Sequence, residues 1–274
     1  MRVINLTLPG RLSMGAGSIR EFLKDTRTHD LQRIFVLSIP EIQPLLKTFL
    51  KDLEQGNCQL HLDLSIQNEP SISDFEGVLS VARDFKPDLI LGIGGGSVLD
   101  VAKLVAAQLE NTQSLREIIG INLLESRSTL LACMPTTSGT GSEVSPNAIL
   151  LDEEENMKKG VISPHLVPDL CYVDPELTLS VPPSVTAATG VDAFTHCLEA
   201  YVNKNSHPVM DAYALEGMRL IAGSLKAAVE DGGNLDARSK LSMGSMYGGL
   251  CLGPVNTTAV SYTHLTLPTI NGEC

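Results

Sequence analysis

Basic residues are scarce in this chain of 274: 20 Lys and Arg against 32 Asp and Glu leave a net charge of −12. That balance argues against a basic stripe for nucleic acid or an anionic membrane surface, and no clustered Lys/Arg run restores one. Also missing is any apolar run long enough to cross a bilayer, and residues 1–10 lack a basic segment followed by a long apolar core. A cytoplasmic location is the expectation. The six cysteines, Cys58, Cys133, Cys171, Cys197, Cys251 and Cys274, stand far apart without a C-x-x-C pair, which predicts reduced thiols serving as small core residues. Neither G-x-G-x-x-G nor G-K-[ST] occurs around the glycine-rich stretch, so the common dinucleotide spelling and the P-loop NTPases are both disfavoured.

What the chain has instead is Leu89-Ile-Leu-Gly-Ile-Gly-Gly-Gly-Ser-Val-Leu-Asp-Val-Ala-Lys103, an apolar strand that breaks into glycines and restarts as a helix. Leu89, Ile90, Leu91 and Ile93 suit a central parallel strand, and Ser97 suits the N-cap of the helix behind it. Without Cβ atoms at Gly94, Gly95 and Gly96, a diphosphate can approach the backbone and meet the free N–H groups of a helix start. On that helix Val98, Val101, Ala102, Val105 and Leu109 share one face, predicting amphipathic packing on a sheet. A bare strand-to-helix corner would use the same glycines for steric reasons alone.

A hydrophobic content of 43% with 19% charged residues describes an ordinary globular protein, long enough for two domains. Strand signals fall at 3–8, 34–37, 60–64, 89–93, 130–134, 148–151 and 171–173, with helical periodicity at 42–53, 72–83 and 97–109. This alternation predicts an α/β sheet wrapped by helices over residues 1–181. After the proline-punctuated connector ending near Pro182, helical patterns fill 184–202, 208–229 and 235–252, so an all-α unit is expected over 182–260.

Two further constellations carry chemistry. Pro135-Thr-Thr-Ser-Gly-Thr-Gly-Ser-Glu-Val144 places five hydroxyls and two glycines behind an apolar strand, where ligands sit in open α/β sheets; a solvated turn is the plain alternative. In the helical half, Asp192 and His196 stand four apart and so share a helix face, where carboxylate and imidazole can hold one divalent cation. The same spacing serves an ordinary surface ion pair. Glu199 continues the polar stripe, and Val191, Phe194, Leu198 and Tyr201 form apolar ones. His29, His61, His165 and His207 lack partners at ligand spacing and read as surface or core residues.

These three segments, in this order, resemble the iron-containing (group III) alcohol dehydrogenase family, whose fold is shared with dehydroquinate synthase. Gly15-Ala-Gly-Ser18, Pro168-Asp-Leu-Cys-Tyr-Val-Asp-Pro175 and Gly253-Pro-Val-Asn-Thr-Thr-Ala259 add to the likeness, which covers roughly residues 1–260. The resemblance implies an α/β domain that binds NAD or NADP, an all-α domain that binds Fe²⁺ or Zn²⁺, and a small alcohol or carbonyl substrate between them. It implies diphosphate contacts for Gly94, Gly95, Gly96 and Ser97, a place near the cofactor for Asp100, and a cleft lined by Thr136, Thr137, Thr140 and Ser142. Asp192 and His196 would be the first two metal ligands. Ser38 follows the second strand where NAD-using relatives often carry an acid, which permits NADP as well as NAD. A homodimer is compatible with this reading.

The end of the chain departs from the family pattern. Two further histidine ligands belong to later helices, and in place of the first of them stands Ser261-Tyr-Thr-His-Leu-Thr-Leu-Pro-Thr-Ile270, a stretch without helical period. The expectation is a C-terminally truncated chain whose residues 261–274 form a non-native tail, with His264 a poor substitute ligand. Two alternatives to an alcohol dehydrogenase stay open at this stage: a fragment that binds cofactor without turning it over, and a non-redox, dehydroquinate-synthase-like lyase.

Overall fold

A computed structural model describes residues 2–255; the expected tail, with His264, lies outside the described residues. Nine strands and eight helices are described: β1 (Arg11–Met14), α1 (Phe22–Thr28), β2 (Arg33–Leu37), α2 (Gln43–Gln55), β3 (Gln59–Asp63), α3 (Ile72–Phe85), β4 (Leu89–Gly94), α4 (Gly96–Gln108), α5 (Leu115–Ile118), β5 (Gly120–Ile121), β6 (Leu130–Pro135), β7 (Asn147–Asp152), β8 (Met157–Ile162), β9 (Leu170–Val173), α6 (Pro183–Val202), α7 (Pro208–Glu230) and α8 (Leu235–Val255). Six strands form one sheet in the order β1-β9-β6-β4-β2-β3, every pairing parallel. A small second sheet, β5-β8-β7, contains the antiparallel β7–β8 pair.

Burial explains why β4 reads as a continuous apolar run. It lies between β2 and β6, and all six of its residues are inside. One face of the main sheet packs on α3 and α4 through Phe35, Ile90, Val101, Val105 and Leu131, the other on α1 and α2 through Phe22, Val36, Leu91 and Leu46. Strands covered on both faces need no polar alternation.

Three expectations need correction, and one expected strand stands outside the main sheet. Residues 3–8 alternate in hydropathy but form no strand; Ile4 and Leu6 pack on the helical half, and Arg2 Nη2 donates to Pro254 O at 2.7 Å. The strand at 148–151 belongs to the side sheet, paired with β8, which the pattern gave no sign of. Helix α4 is not amphipathic. Its far side is covered by β7, so Leu99, Lys103, Leu104, Ala106 and Gln108 are buried along with the expected face. Ser97 is not its N-cap, because the helix begins two residues sooner than such a cap requires and Gly95 takes that place.

The helical half packs through small residues. Gly190, Ala193, Cys197 and Ala200 line the inner face of α6, and a Cβ on Gly190 would come 2.4 Å from Leu225 Cδ1 of α7. On α7, a Cβ at Gly217 would come 2.6 Å from Cys197 Sγ. Close helix approach therefore selects size over hydropathy, and the expected apolar residues Val191 (53% exposed) and Leu198 (41%) face outward.

Candidate active site

The carboxyl ends of β2, β4 and β6 lie side by side, and they carry Ser38, the glycine turn and the hydroxyl loop respectively. Thr136 N–H donates to Gly94 O at 2.9 Å, so the loop leaves β6 directly beside the glycines. Ligands of open parallel sheets sit at this edge.

The three glycines are not equivalent. A Cβ on Gly94 would lie 2.6 Å from Val98 Cβ, and one on Gly96 2.6 Å from Thr140 Cγ2. On Gly95 it would meet nothing nearer than Thr137 Oγ1 at 3.4 Å. Gly95 also has an extended backbone (φ −74°, ψ −177°) that any residue adopts. The steric-corner explanation thus accounts for Gly94 and Gly96 and fails for Gly95, where neither packing nor conformation asks for glycine. Behind it, Leu99 N–H is the one that turns back to Gly95 O (3.1 Å), so the N–H groups of Gly96, Ser97 and Val98 precede the ladder at the positive end of α4. Ser97 is exposed at this end.

Residues 136–145 are a junction between both halves of the molecule. Thr137 and Thr140 stand against Gly95 and Gly96. Ser138 Oγ and Ser242 Oγ of α8 share a hydrogen bond of 2.9 Å. A Cβ on Gly139 would come 2.8 Å from Thr189 Cβ of α6. Gly141, at φ +62°, meets Gly249 of α8 backbone to backbone; a Cβ on Gly249 would be 2.4 Å from Gly141 O. Only glycine accepts that conformation and that proximity together.

The remaining expected cofactor residues are engaged inside the fold. Thr136 and Ser142 are buried. Asp100 accepts from Ser142 Oγ–H at 2.5 Å and from Ile149 N–H at 3.0 Å, so it ties α4 to the loop and to β7. Burial raises its carboxyl above the ordinary range, opposed by Lys103 and the Ser142 hydroxyl. Ser38 is buried too and donates to Ile93 O at 2.9 Å, which commits its proton to the neighbouring strand.

Two residues escaped the sequence reading. Lys103, fully buried, donates through Nζ to Ser145 O (2.9 Å) and Asn147 O (2.8 Å), and burial lowers its pKa. Its signal was a lone lysine between Ala102 and Leu104 in an apolar helix. Glu143 is buried, and desolvation pushes its carboxyl up to about 7 against the pull of its own backbone N–H and of Lys103. A carboxylate in a loop of hydroxyls and glycines gave no such hint.

On α6, Asp192 Oδ1 and His196 Nε2 lie 3.8 Å apart, and their side chains are 16% and 9% exposed. That gap is too long for a hydrogen bond and lies within the span of two bonds of about 2.1 Å to one cation. Burial raises the Asp192 carboxyl, with His196 opposing. The pair fits a metal as part of a donor set. No group of three His, Cys, Asp or Glu side chains converges on a cation site among the described residues.

The sheet order and the helical half behind it define the class: an α/β domain of dinucleotide-binding type continued by an all-α domain. The structure of 1,3-propanediol oxidoreductase shares it, with a TM-score of 0.89 at 28% identity over 93% of this chain and 68% of that one. The chain belongs to the iron-containing alcohol dehydrogenase family. The family model "Iron-containing alcohol dehydrogenase" matches residues 9–175, and the "Fe-containing alcohol dehydrogenase family, C-terminal" model matches 186–270. Long-chain-alcohol dehydrogenase 1 of Geobacillus thermodenitrificans is 36% identical over 96% of this chain and 68% of its own length. NAD-dependent methanol dehydrogenase of Bacillus methanolicus is 28% identical over 90% of this chain and 65% of its own length. The chain thus spans about two thirds of such relatives. Its function class is oxidoreductase of the alcohol dehydrogenase type, and the lyase and binding-only readings draw no support. No described helix is long and apolar enough to cross a membrane.

Proposed function

We propose that this chain carries the cofactor wall and part of the metal wall of an enzyme that moves hydride between an alcohol carbon and a nicotinamide dinucleotide. The observation that carries the proposal is the junction loop, which touches Gly95 through Thr137 and, two residues on, touches α6 through Gly139 and Thr189, one turn before Asp192. One short segment therefore sets the distance between the two walls.

In this reading Gly95 leaves room for the diphosphate, and the N–H groups of Gly96 and Ser97 donate to its oxygens. Ser97, exposed at the helix start, adds a hydroxyl, while Thr137 and Thr140 flank the glycines from the opposite side. Thr136, Ser142, Asp100 and Lys103 fix that flank from behind. Asp192 and His196 hold a divalent cation, iron by family and zinc as the alternative the same donors accept. When bound, the cation supplies Lewis acidity toward the alcohol oxygen and the nicotinamide supplies the hydride acceptor. The protein's share is orientation, exclusion of water and a neutralising anion at Asp192. With no carboxylate at position 38 to repel a 2′-phosphate, NADP is permitted as well as NAD. The five described cysteines are buried and unpaired, in keeping with work in the cytoplasm.

The test is a fluorescence titration of the purified chain with NADH and with NADPH, followed by anaerobic Fe²⁺ and a panel of primary alcohols. Saturable binding that weakens in Gly95→Val is expected, and any net NADH formation should require added alcohol. Binding unaffected by Gly95→Val would remove the diphosphate from the glycine turn.

A further inference from the structure

The metal-bearing face of α6 holds two buried polar atoms without a hydrogen-bond partner: His196 Nδ1 and Glu199 Oε2. They are one helical turn apart, a spacing that puts side chains beside each other. The Glu199 carboxyl feels His196 and Asp192 directly, the first lowering and the second raising its pKa beneath a larger effect of burial. His196 already turns its other nitrogen, Nε2, toward Asp192. Glu199 is not a third ligand in this arrangement, since no three such side chains converge among the described residues.

We infer that Glu199 is a positioning residue for His196, its carboxylate accepting the Nδ1–H and so holding the imidazole with the Nε2 lone pair directed at the cation site. This rests on the metal reading of Asp192 and His196 given above. The chemistry is complementary. A neutral imidazole presents one donor and one acceptor, and a ligating histidine must keep its donor on the nitrogen away from the metal. A carboxylate at that nitrogen fixes the tautomer and raises the basicity of the ligating one. No hydrogen bond joins the two atoms as they stand, so the contact requires a turn of the Glu199 side chain. It also satisfies both atoms at once, where leaving each alone in the interior is unfavourable.

The inference separates from the metal reading by experiment. In the metal-free chain labelled with ¹⁵N-histidine, long-range ¹H–¹⁵N correlation at alkaline pH reports the tautomer of His196. The wild type is expected to show Nδ1–H. Glu199→Ala should revert to the Nε2–H form that free histidine prefers, and Glu199→Gln, whose amide oxygen still accepts, should keep Nδ1–H. In a Co²⁺ titration followed by visible absorption, Glu199→Ala is expected to weaken binding about 10- to 100-fold, with Glu199→Gln between it and wild type. A wild-type Nε2–H tautomer, or an Nδ1–H tautomer that survives in a folded Glu199→Ala, overturns the inference. An Nδ1–H tautomer that depends on Glu199, in a chain that takes up no Co²⁺, would keep the contact and overturn the metal reading.

Discussion

The cradle at the sheet edge and the ligand pair on α6 are built in opposite ways. Around Gly95 the polar groups behind the cleft are spent: Ser142 on Asp100, Lys103 on Ser145 and Asn147, Ser38 on Ile93. On α6 buried polar atoms are left over, at His196 Nδ1 and Glu199 Oε2, and burial raises the Asp192 carboxyl with His196 opposing. The cradle is rigid because the fold needs each of its contacts, whereas the α6 face holds affinity in reserve for something it does not itself supply. A binding wall made of backbone can be finished by local sequence; a cation site draws donors from distant elements.

The strongest way to break this contrast is at the junction both walls share. Gly249→Ala drives a methyl into the Gly141 backbone and should cost about 3 kcal/mol or more, read as a lower midpoint in urea unfolding together with weakened NADH binding. An unchanged midpoint would mean that the two halves are not tightly joined there. Glu143→Gln tests whether the cradle's rigidity includes a stored cost. The folded-state value of about 7 lies above the ordinary 4.5, so the folded chain binds the extra proton and stability falls as pH rises between them. At about 1.4 kcal/mol per pKa unit, Glu143→Gln should recover about 3 kcal/mol above neutral pH and flatten the pH dependence of unfolding across that window.

Asp192→Ala addresses the other wall. Cation affinity should drop by about 100-fold or more in a Co²⁺ titration, while NADH binding is unchanged; a joint loss would deny the two walls their independence. Gly95→Val should raise the NADH Kd about 10- to 100-fold, or 1.4 to 2.8 kcal/mol, with the melting temperature nearly unmoved, because its Cβ has room in the empty protein. The smallest effect belongs to Ser38→Ala. Loss of its hydrogen bond to Ile93 O should cost about 1 kcal/mol of stability and leave dinucleotide affinity intact.

The sequence was legible where function or burial is local. The strand-glycine-helix turn, the hydroxyl loop and the i, i+4 pair each lie in one short stretch, and all three took the predicted secondary structure. Errors arose where a second layer decides. Residues 3–8 alternate like a strand, yet their partners are helices more than 180 positions away. Helix α4 looked amphipathic because nothing in its own period announces that β7 covers the other side. The outward face of α6 was misjudged because Gly190, Ala193 and Ala200, weakly apolar, beat Val191 and Leu198 for the interior by being small. The bonds of Ser38 to Ile93 and of Asp100 to Ser142 and Ile149 were not legible either, because only three-dimensional contact holds them.

The touching backbones of Gly141 and Gly249 have a mechanical meaning. With no side chain between them, the helical half bears on the sheet half as an axle bears on its seat, and the adjacent Ser138–Ser242 bond resists lifting it off. Around this point, the apolar cluster of Val144, Cys171, Val173, Met246 and Leu250 joins the same two halves. A size change at either glycine would therefore be felt in both halves at once, and would reach Thr137 and Thr140 beside their glycines through the same short loop.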